Sequence, residues 1–142
     1  MTAGPGDHPG FLLWRVTLSW QREVVAALGP LGLTHVQFVL LACTYWLNEH
    51  GRQPNQATVA EQAGTDVKMT SQVLRTLEAK GLLVREPDPD DSRARRLRVT
   101  AAGAALAPRA MAAVERADAA FFAPVATKEA LAMLGRLARI GG

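Results

Sequence analysis

The chain has a single cysteine in 142 residues, so no disulfide can form within it, and that usage fits a reducing cytoplasm. No stretch approaches eighteen uninterrupted apolar residues, which argues against a membrane-spanning helix. The opening Met-Thr-Ala-Gly-Pro-Gly-Asp-His-Pro-Gly lacks the basic start and apolar run of a secretory signal. It reads as a flexible arm over residues 1–10. His8, His35 and His50 are scattered, without cysteine or carboxylate partners at ligand spacing, so no metal and no other cofactor is expected. Nucleophile elbow, glycine-rich phosphate loop and paired-carboxylate motifs are missing, which disfavours an enzyme. No internal repeat or low-complexity linker interrupts the chain, although alanine is dense from 101 to 126.

What is present is the balance of a folded domain. Apolar residues make up 49% and charged residues 20%, which excludes wholesale disorder, and the length supports one modest core. The net charge of +3 is unevenly spread. Residues 1–67 hold three Lys/Arg against five Asp/Glu; residues 68–98 hold eight against five; residues 99–142 hold five against three. The middle is therefore the most cationic part, weak evidence for an anionic polymer as partner.

Phe11 to Leu28 reads as a helix stopped by Gly29-Pro30, apolar on nearly every side. Such a helix needs cover on more than one face, and in so short a chain a second subunit is the natural cover. Thr34 and Gln37 form a capping box that opens a second helix to about His50. Asn55 caps a third helix through Ala63, ended by Gly64. Asp66 or Thr65 caps a fourth that ends at Gly81. In this fourth helix Val67, Thr70, Val73, Leu74 and Leu77 form a stripe to be buried, while Lys68, Met69, Ser71, Gln72 and Arg75 face the other way. Leu82–Glu86 and Arg95–Val99 alternate as two short antiparallel strands around a Pro-Asp-rich turn. Thr100 then caps a long helix to about Phe122, with a bend expected at Pro108. Thr127 caps a last one striped with Leu131, Leu134, Leu137 and Ala138.

A helix with polar and cationic side chains on one face, followed by a basic β-ribbon, is the arrangement that reads a DNA groove and grips its backbone. The pattern resembles the MarR family of winged helix-turn-helix transcription factors. The resemblance rests on Leu33-Thr34-His-Val-Gln37-Phe38, Val59-Ala-Glu-Gln-Ala-Gly64 and Leu77-Glu-Ala-Lys-Gly81-Leu82. Most specific are Pro87-Asp-Pro-Asp-Asp91-Ser-Arg93-Ala-Arg95 and Leu97-Arg-Val-Thr100-Ala-Ala-Gly103. It spans Leu12 to Ile140, nearly the whole chain.

The resemblance implies a mainly α fold with a small two-stranded β-wing: a winged helix-turn-helix with N- and C-terminal dimerisation helices. Residues 11–30 and 101–142 would dimerise and residues 31–100 would bind DNA, all within one intertwined domain. It also implies a symmetric dimer on a pseudo-palindromic operator of double-stranded DNA, usually repressing. Many relatives release DNA when a small aromatic or phenolic compound enters a cleft; some sense oxidants through a cysteine near the start of the first helix, where this chain has none. Arg93 matches the wing arginine that relatives insert into the minor groove, and Asp91 the acid that braces it.

Base chemistry assigns roles to the remaining candidates. Gln72 can pair bidentately with adenine, Arg75 with guanine or phosphate, and Met69 can pack on a thymine methyl, with Lys68 and Ser71 beside them. Arg95, Arg96 and Arg98 can hold phosphates without reading sequence. On an isolated helix such a face is more often merely solvated; the adjoining wing turns the reading toward DNA. Trp20, His35 and Phe38 are candidates for an effector cleft, although aromatics at helical spacing are more often core. Cys43 lies on an apolar face and reads as an inert small hydrophobe. Two other readings stay open: a winged-helix module for protein–protein assembly, and a constitutive DNA binder without a ligand.

Overall fold

The computed structural model describes residues 4–91 and 93–139. Residues 1–3 of the expected arm, Ser92 of the hairpin turn and residues 140–142 of the last expected segment lie outside the described residues. The order is α1 (Pro9–Leu28), α2 (His35–Glu49), α3 (Gln56–Ala63), α4 (Val67–Ala79), β1 (Leu83–Pro87), β2 (Arg95–Val99), α5 (Ala101–Phe121) and α6 (Thr127–Ala138), with 3-10 turns at Pro5–Asp7 and Gly29–Leu31. The fold is a winged helix-turn-helix, mainly helical with one two-stranded antiparallel ribbon, as the sequence pattern predicts. Helix α1 takes in Pro9 and Gly10 from the expected arm, because proline at the first helical position already has the right φ and needs no partner for a missing N–H.

Local signals set most boundaries. The Thr34 hydroxyl accepts the Gln37 N–H at 3.2 Å and the Gln37 side chain accepts the Thr34 N–H at 3.2 Å, closing the capping box of α2. Asn55 accepts the Thr58 N–H at 2.9 Å, and Asp66 accepts the Met69 N–H at 2.7 Å. Asp66 is thus the cap of α4. Thr65 instead shares a 2.6 Å hydrogen bond with the Thr70 hydroxyl, which itself donates to the Asp66 carbonyl at 2.7 Å, so Thr70 is fully buried yet satisfied. Gly81, at φ +75°, makes the left-handed step from α4 into the ribbon.

Three expectations need correction. Strand β1 begins at Leu83 and includes Pro87, one residue later than expected, because the Leu82 N–H is spent closing α4 on the Leu77 carbonyl at 3.0 Å. Pro87 is tolerated at the strand end, opposite Arg95, where the ladder does not need its donor. Val67 is 64% exposed rather than part of the buried stripe, since as the first residue of α4 it projects beyond the core. Thr127 is the first residue of α6 and not its cap; Ala126 holds that position without a side-chain bond.

The core is drawn from α1 to α5 and the ribbon, including Leu28, Leu40, Leu47, Leu74, Leu83 and Leu97, all fully buried. Long-range polar bonds fix the parts. Lys80, at the end of α4, donates to Gln37 Oε1 at 2.8 Å and to the Gly32 carbonyl at 2.7 Å, tying that end to the start of α2. The Asn48 side chain accepts the Val99 N–H at 2.9 Å and donates to the Leu97 carbonyl at 3.2 Å, covering the outer edge of β2 together with the Pro54 carbonyl. Thr100 donates its N–H to the Leu82 carbonyl at 3.1 Å and its hydroxyl to the Gly81 carbonyl at 2.6 Å, while capping Gly103 at 3.1 Å. A Cβ on Gly103 would stand 1.9 Å from the Leu82 oxygen, which explains the Thr-x-x-Gly spacing. Helix α5 continues through an exposed Pro108.

Helices α1 and α6 differ from the rest. Trp14 is 62% exposed, Leu131 68% and Leu137 67%, and α6 buries only Ala130. No single described helix is long and apolar enough to cross a membrane.

Candidate DNA interface and an apolar cleft

Helix α4 turns Leu74 and Leu77 inward, and the same 3.6-residue period leaves Lys68, Met69, Gln72 and Arg75 exposed, with Ser71 half-buried at the edge. A bonded framework holds the helix rigidly. Asp66 caps its start and Lys80 anchors its end. Glu78 accepts the Arg85 N–H at 3.3 Å and pairs with its guanidinium at 3.4 Å, while Arg85 also donates to Gln56 at 3.0 Å. Arg85 therefore stitches α3, α4 and β1 together and is not free for a partner.

On the wing, cations fall into two groups. Arg96 pairs with Asp88 at 3.4 Å and Asp90 at 3.3 Å, and Arg98 pairs with Glu86. The Asp88 carboxyl is held below its ordinary range, first by the Asp90 N–H and then by Arg96; that of Glu86 is lowered by Arg98. Glu86 lies opposite Arg96 and diagonal to Arg98 on the same side of the ribbon; it takes the diagonal partner, while Arg96 turns to the Asp88 and Asp90 carboxylates. Arg93 and Arg95 are exposed and make no ion pair among the described residues, and the same holds for Lys68 and Arg75 on α4. Asp91 does brace the turn, but through the backbone: its carboxylate accepts the Arg93 N–H at 3.0 Å, with no bond to the guanidinium. Unpaired Lys68 and Arg75 on the helix and Arg93 and Arg95 on the wing carry the outward positive charge. A polar hollow of about 560 Å³ adjoins the wing, where Arg52, which sequence reasoning passed over, joins Arg96 near Asn55 and Thr58.

A second, apolar cleft of about 820 Å³ lies between α1, α5 and α6. Leu13, Val16, Trp20, Phe122, Leu131 and Leu134 contribute walls, and among the described residues Asp118 is the only ionisable one lining it. The Trp20 indole N–H donates to Asp118 at 2.8 Å, and the ring meets His35 edge-on at 5.0 Å. Of the three cleft candidates, Trp20 lines this space, His35 stands behind its ring, and Phe38 is half-buried against the core. Burial pushes the His35 imidazole below its ordinary value of 6.5, with the Asp118 charge opposing. Asp118 and Phe122 escaped the sequence reading; the available signal was one acid amid alanines, four residues from an aromatic on the same helical face. Cys43 is half-buried, and burial pushes its thiol up, away from the reactive thiolate. Among the described residues no group of His, Cys, Asp or Glu could hold a metal.

A recognition helix presented beside a paired ribbon defines a winged helix-turn-helix protein of the DNA-binding class. Comparison with known proteins makes the class specific. The MarR family model matches residues 33–94. The HTH-type transcriptional regulator YdcH of Bacillus subtilis is 44% identical over 127 residues, covering 89% of this chain and 86% of that protein. The HTH-type transcriptional repressor Rv2887 of Mycobacterium tuberculosis is 40% identical over 114 residues, 80% of this chain and 79% of that protein. A crystal structure of Rv2887 in complex with salicylic acid superposes with a TM-score of 0.68, covering 94% of this chain and 96% of that one at 34% identity. CouR of Rhodococcus jostii RHA1, solved with p-coumaroyl-CoA bound, superposes with a TM-score of 0.81 over 96% of this chain and 93% of that one, at 28% identity. The chain belongs to the MarR family and is a helix-turn-helix transcriptional regulator.

Proposed function

We propose that two copies of the chain, paired through residues 11–30 and 101–142, repress transcription in the cytoplasm by gripping a pseudo-palindromic operator through residues 31–100. The supporting observation is the exposed face of α4 beside a wing whose Arg93 and Arg95 stay free of ion pairs. Two α4 helices enter successive major grooves about 34 Å apart. Gln72 pairs with adenine, Arg75 with guanine or phosphate, Met69 meets a thymine methyl, and Lys68 and Ser71 hold the flanking backbone. Arg93 enters the minor groove, where narrow A·T tracts concentrate negative potential, and Asp91 fixes the backbone that carries it. Arg95 and Arg96 take phosphates, Arg96 after leaving its half-buried pair with Asp88 and its pair with the exposed Asp90. The exposed apolar faces of α1 and α6 support the pairing.

A small aromatic ligand in the region of Trp20, His35 and Phe38 would release the operator by binding one spacing of the α4 helices better than the other. Rv2887 with salicylic acid and CouR with p-coumaroyl-CoA support a ligand-controlled reading. The test is duplex affinity against salt. Groove binding gives a steep fall with salt, and Arg93→Ala weakens the complex about tenfold at fixed salt. Affinity indifferent to both would move the wing from DNA to protein–protein assembly.

A further inference from the structure

Resting on the reading that residues 31–100 grip the operator, we propose that the polar hollow beside the wing seats a phosphate of the DNA backbone, with Arg52 as its principal cation. The hollow, of about 560 Å³, lies between the loop after α2, the start of α3 and the wing. None of its lining residues falls in segments 11–30 or 101–142, so the surface assigned to pairing the two copies is not the surface of this hollow. Its charged walls are Arg52, Arg96 and Asp88, two cations against one anion, a surplus of one positive charge. Arg96 is already engaged, by Asp88 at 3.4 Å and Asp90 at 3.3 Å. Arg52 is exposed and makes no ion pair among the described residues.

The neighbouring polar groups are spent on one another. The Asn55 side-chain oxygen accepts the Thr58 N–H at 2.9 Å and the Thr58 hydroxyl at 3.0 Å, which leaves the Arg52 guanidinium to meet an anion. The backbone fixes where that guanidinium is rooted. The Arg52 N–H donates to the Leu47 carbonyl at 2.9 Å, and its carbonyl accepts from the Asn48 side chain at 2.9 Å. Two residues on, the Pro54 carbonyl accepts the Leu97 N–H at 2.8 Å, stitching the loop to β2 beside Arg96. Arg85 ties Gln56 of α3 to Glu78 of α4, so the hollow keeps its place relative to the recognition helix. One surplus charge suits a phosphodiester, which carries one negative charge and is held by many such seats along a polymer. A free phosphate would have to be held by this seat alone. Because Arg96 must first give up two carboxylates, Arg52 takes the larger share of the contact.

A phosphate seat reads no sequence, so two unrelated mixed-sequence duplexes of about 30 base pairs serve as probes, titrated by fluorescence anisotropy between about 50 and 300 mM salt. Arg52→Ala removes a charge and spares the backbone bonds that hold the loop. It should weaken both duplexes about tenfold near 100 mM salt and make the slope of log affinity against log salt shallower by about 1.8, one contact for each of two copies. Arg52→Lys, which keeps the point charge, should retain the wild-type slope, and Arg96→Ala should cost less than Arg52→Ala. Inorganic phosphate exchanged for chloride at equal ionic strength should change duplex binding by less than about twofold. An unchanged slope in Arg52→Ala, a loss confined to one duplex, a lysine protein that behaves like the alanine one, or a larger loss in Arg96→Ala overturns the assignment. So does inorganic phosphate that displaces duplex from the wild type but not from Arg52→Ala, since the seat would then belong to a free anion. The wild type separates the two readings: duplex bound with a slope that Arg52→Ala leaves unchanged sinks this seat alone, whereas a wild type that ignores both duplexes sinks the operator-gripping reading and the seat with it.

Discussion

Helices α4 and α6 are both short and amphipathic, yet they end in opposite conditions. In α4 the apolar residues Leu74 and Leu77 are fully buried, and each end is tied down, by Asp66 at the start and Lys80 beyond the last turn. In α6 Leu131, Met133 and Leu137 stand in solvent and no side chain caps the start. The middle of the chain completes itself; the outer helices leave their completion to something else. Exposed apolar area of this extent marks an interaction surface.

The largest expected effect tests the outer half. Leu131→Glu combined with Leu137→Glu changes two side chains that contribute little to the single chain's core. It should dissociate the dimer in sedimentation and lower operator affinity about 100-fold through loss of the second half-site. A double variant that stayed dimeric would erase the contrast between the helices. Next comes the junction of the two halves. Gly103→Ala forces a methyl into the Leu82 carbonyl, and urea unfolding should report a loss of about 2–3 kcal/mol. Within the middle, Asp66→Ala removes one cap and should cost about 1 kcal/mol by the same measurement, with dimerisation unchanged.

The smallest effect concerns pH. Burial lowers the His35 pKa, so the unfolded chain takes up a proton before the folded one does; stability is therefore lost as pH falls below about 6.5 and regained above it. In His35→Gln the drop between pH 7.5 and pH 5.5 should be shallower by part of a kcal/mol. An unchanged slope would assign the acid sensitivity to other groups.

Elements set by neighbouring residues were legible in the sequence. Thr34, Asn55 and Thr100 cap helices from one to three residues away, and Gly64 and Gly81 stop them, so the order of elements followed directly. Contacts spanning dozens of residues were not. Nothing near Lys80 announces Gln37, and nothing near Asn48 announces Val99. Val67 shows the limit of periodicity, which gives a direction around a helix but not how far the core extends along it. The candidate DNA face could be named because it is what remains after a buried stripe is assigned. The cleft could be only half named: an aromatic such as Trp20 draws notice by itself, whereas Asp118 matters through the apolar company α1 and α6 bring to it.

The first turn of α2 has an outsized position in the mechanics. His35 leans on the Trp20 ring, and two residues later Gln37 is gripped by Lys80 at the foot of the recognition helix. A nudge to the indole thus has a route of four side chains to the reading head, with α2 as the rocker between them. Under the proposed ligand control, such a linkage would favour rotation over melting, so an effector would re-aim the head and leave it intact.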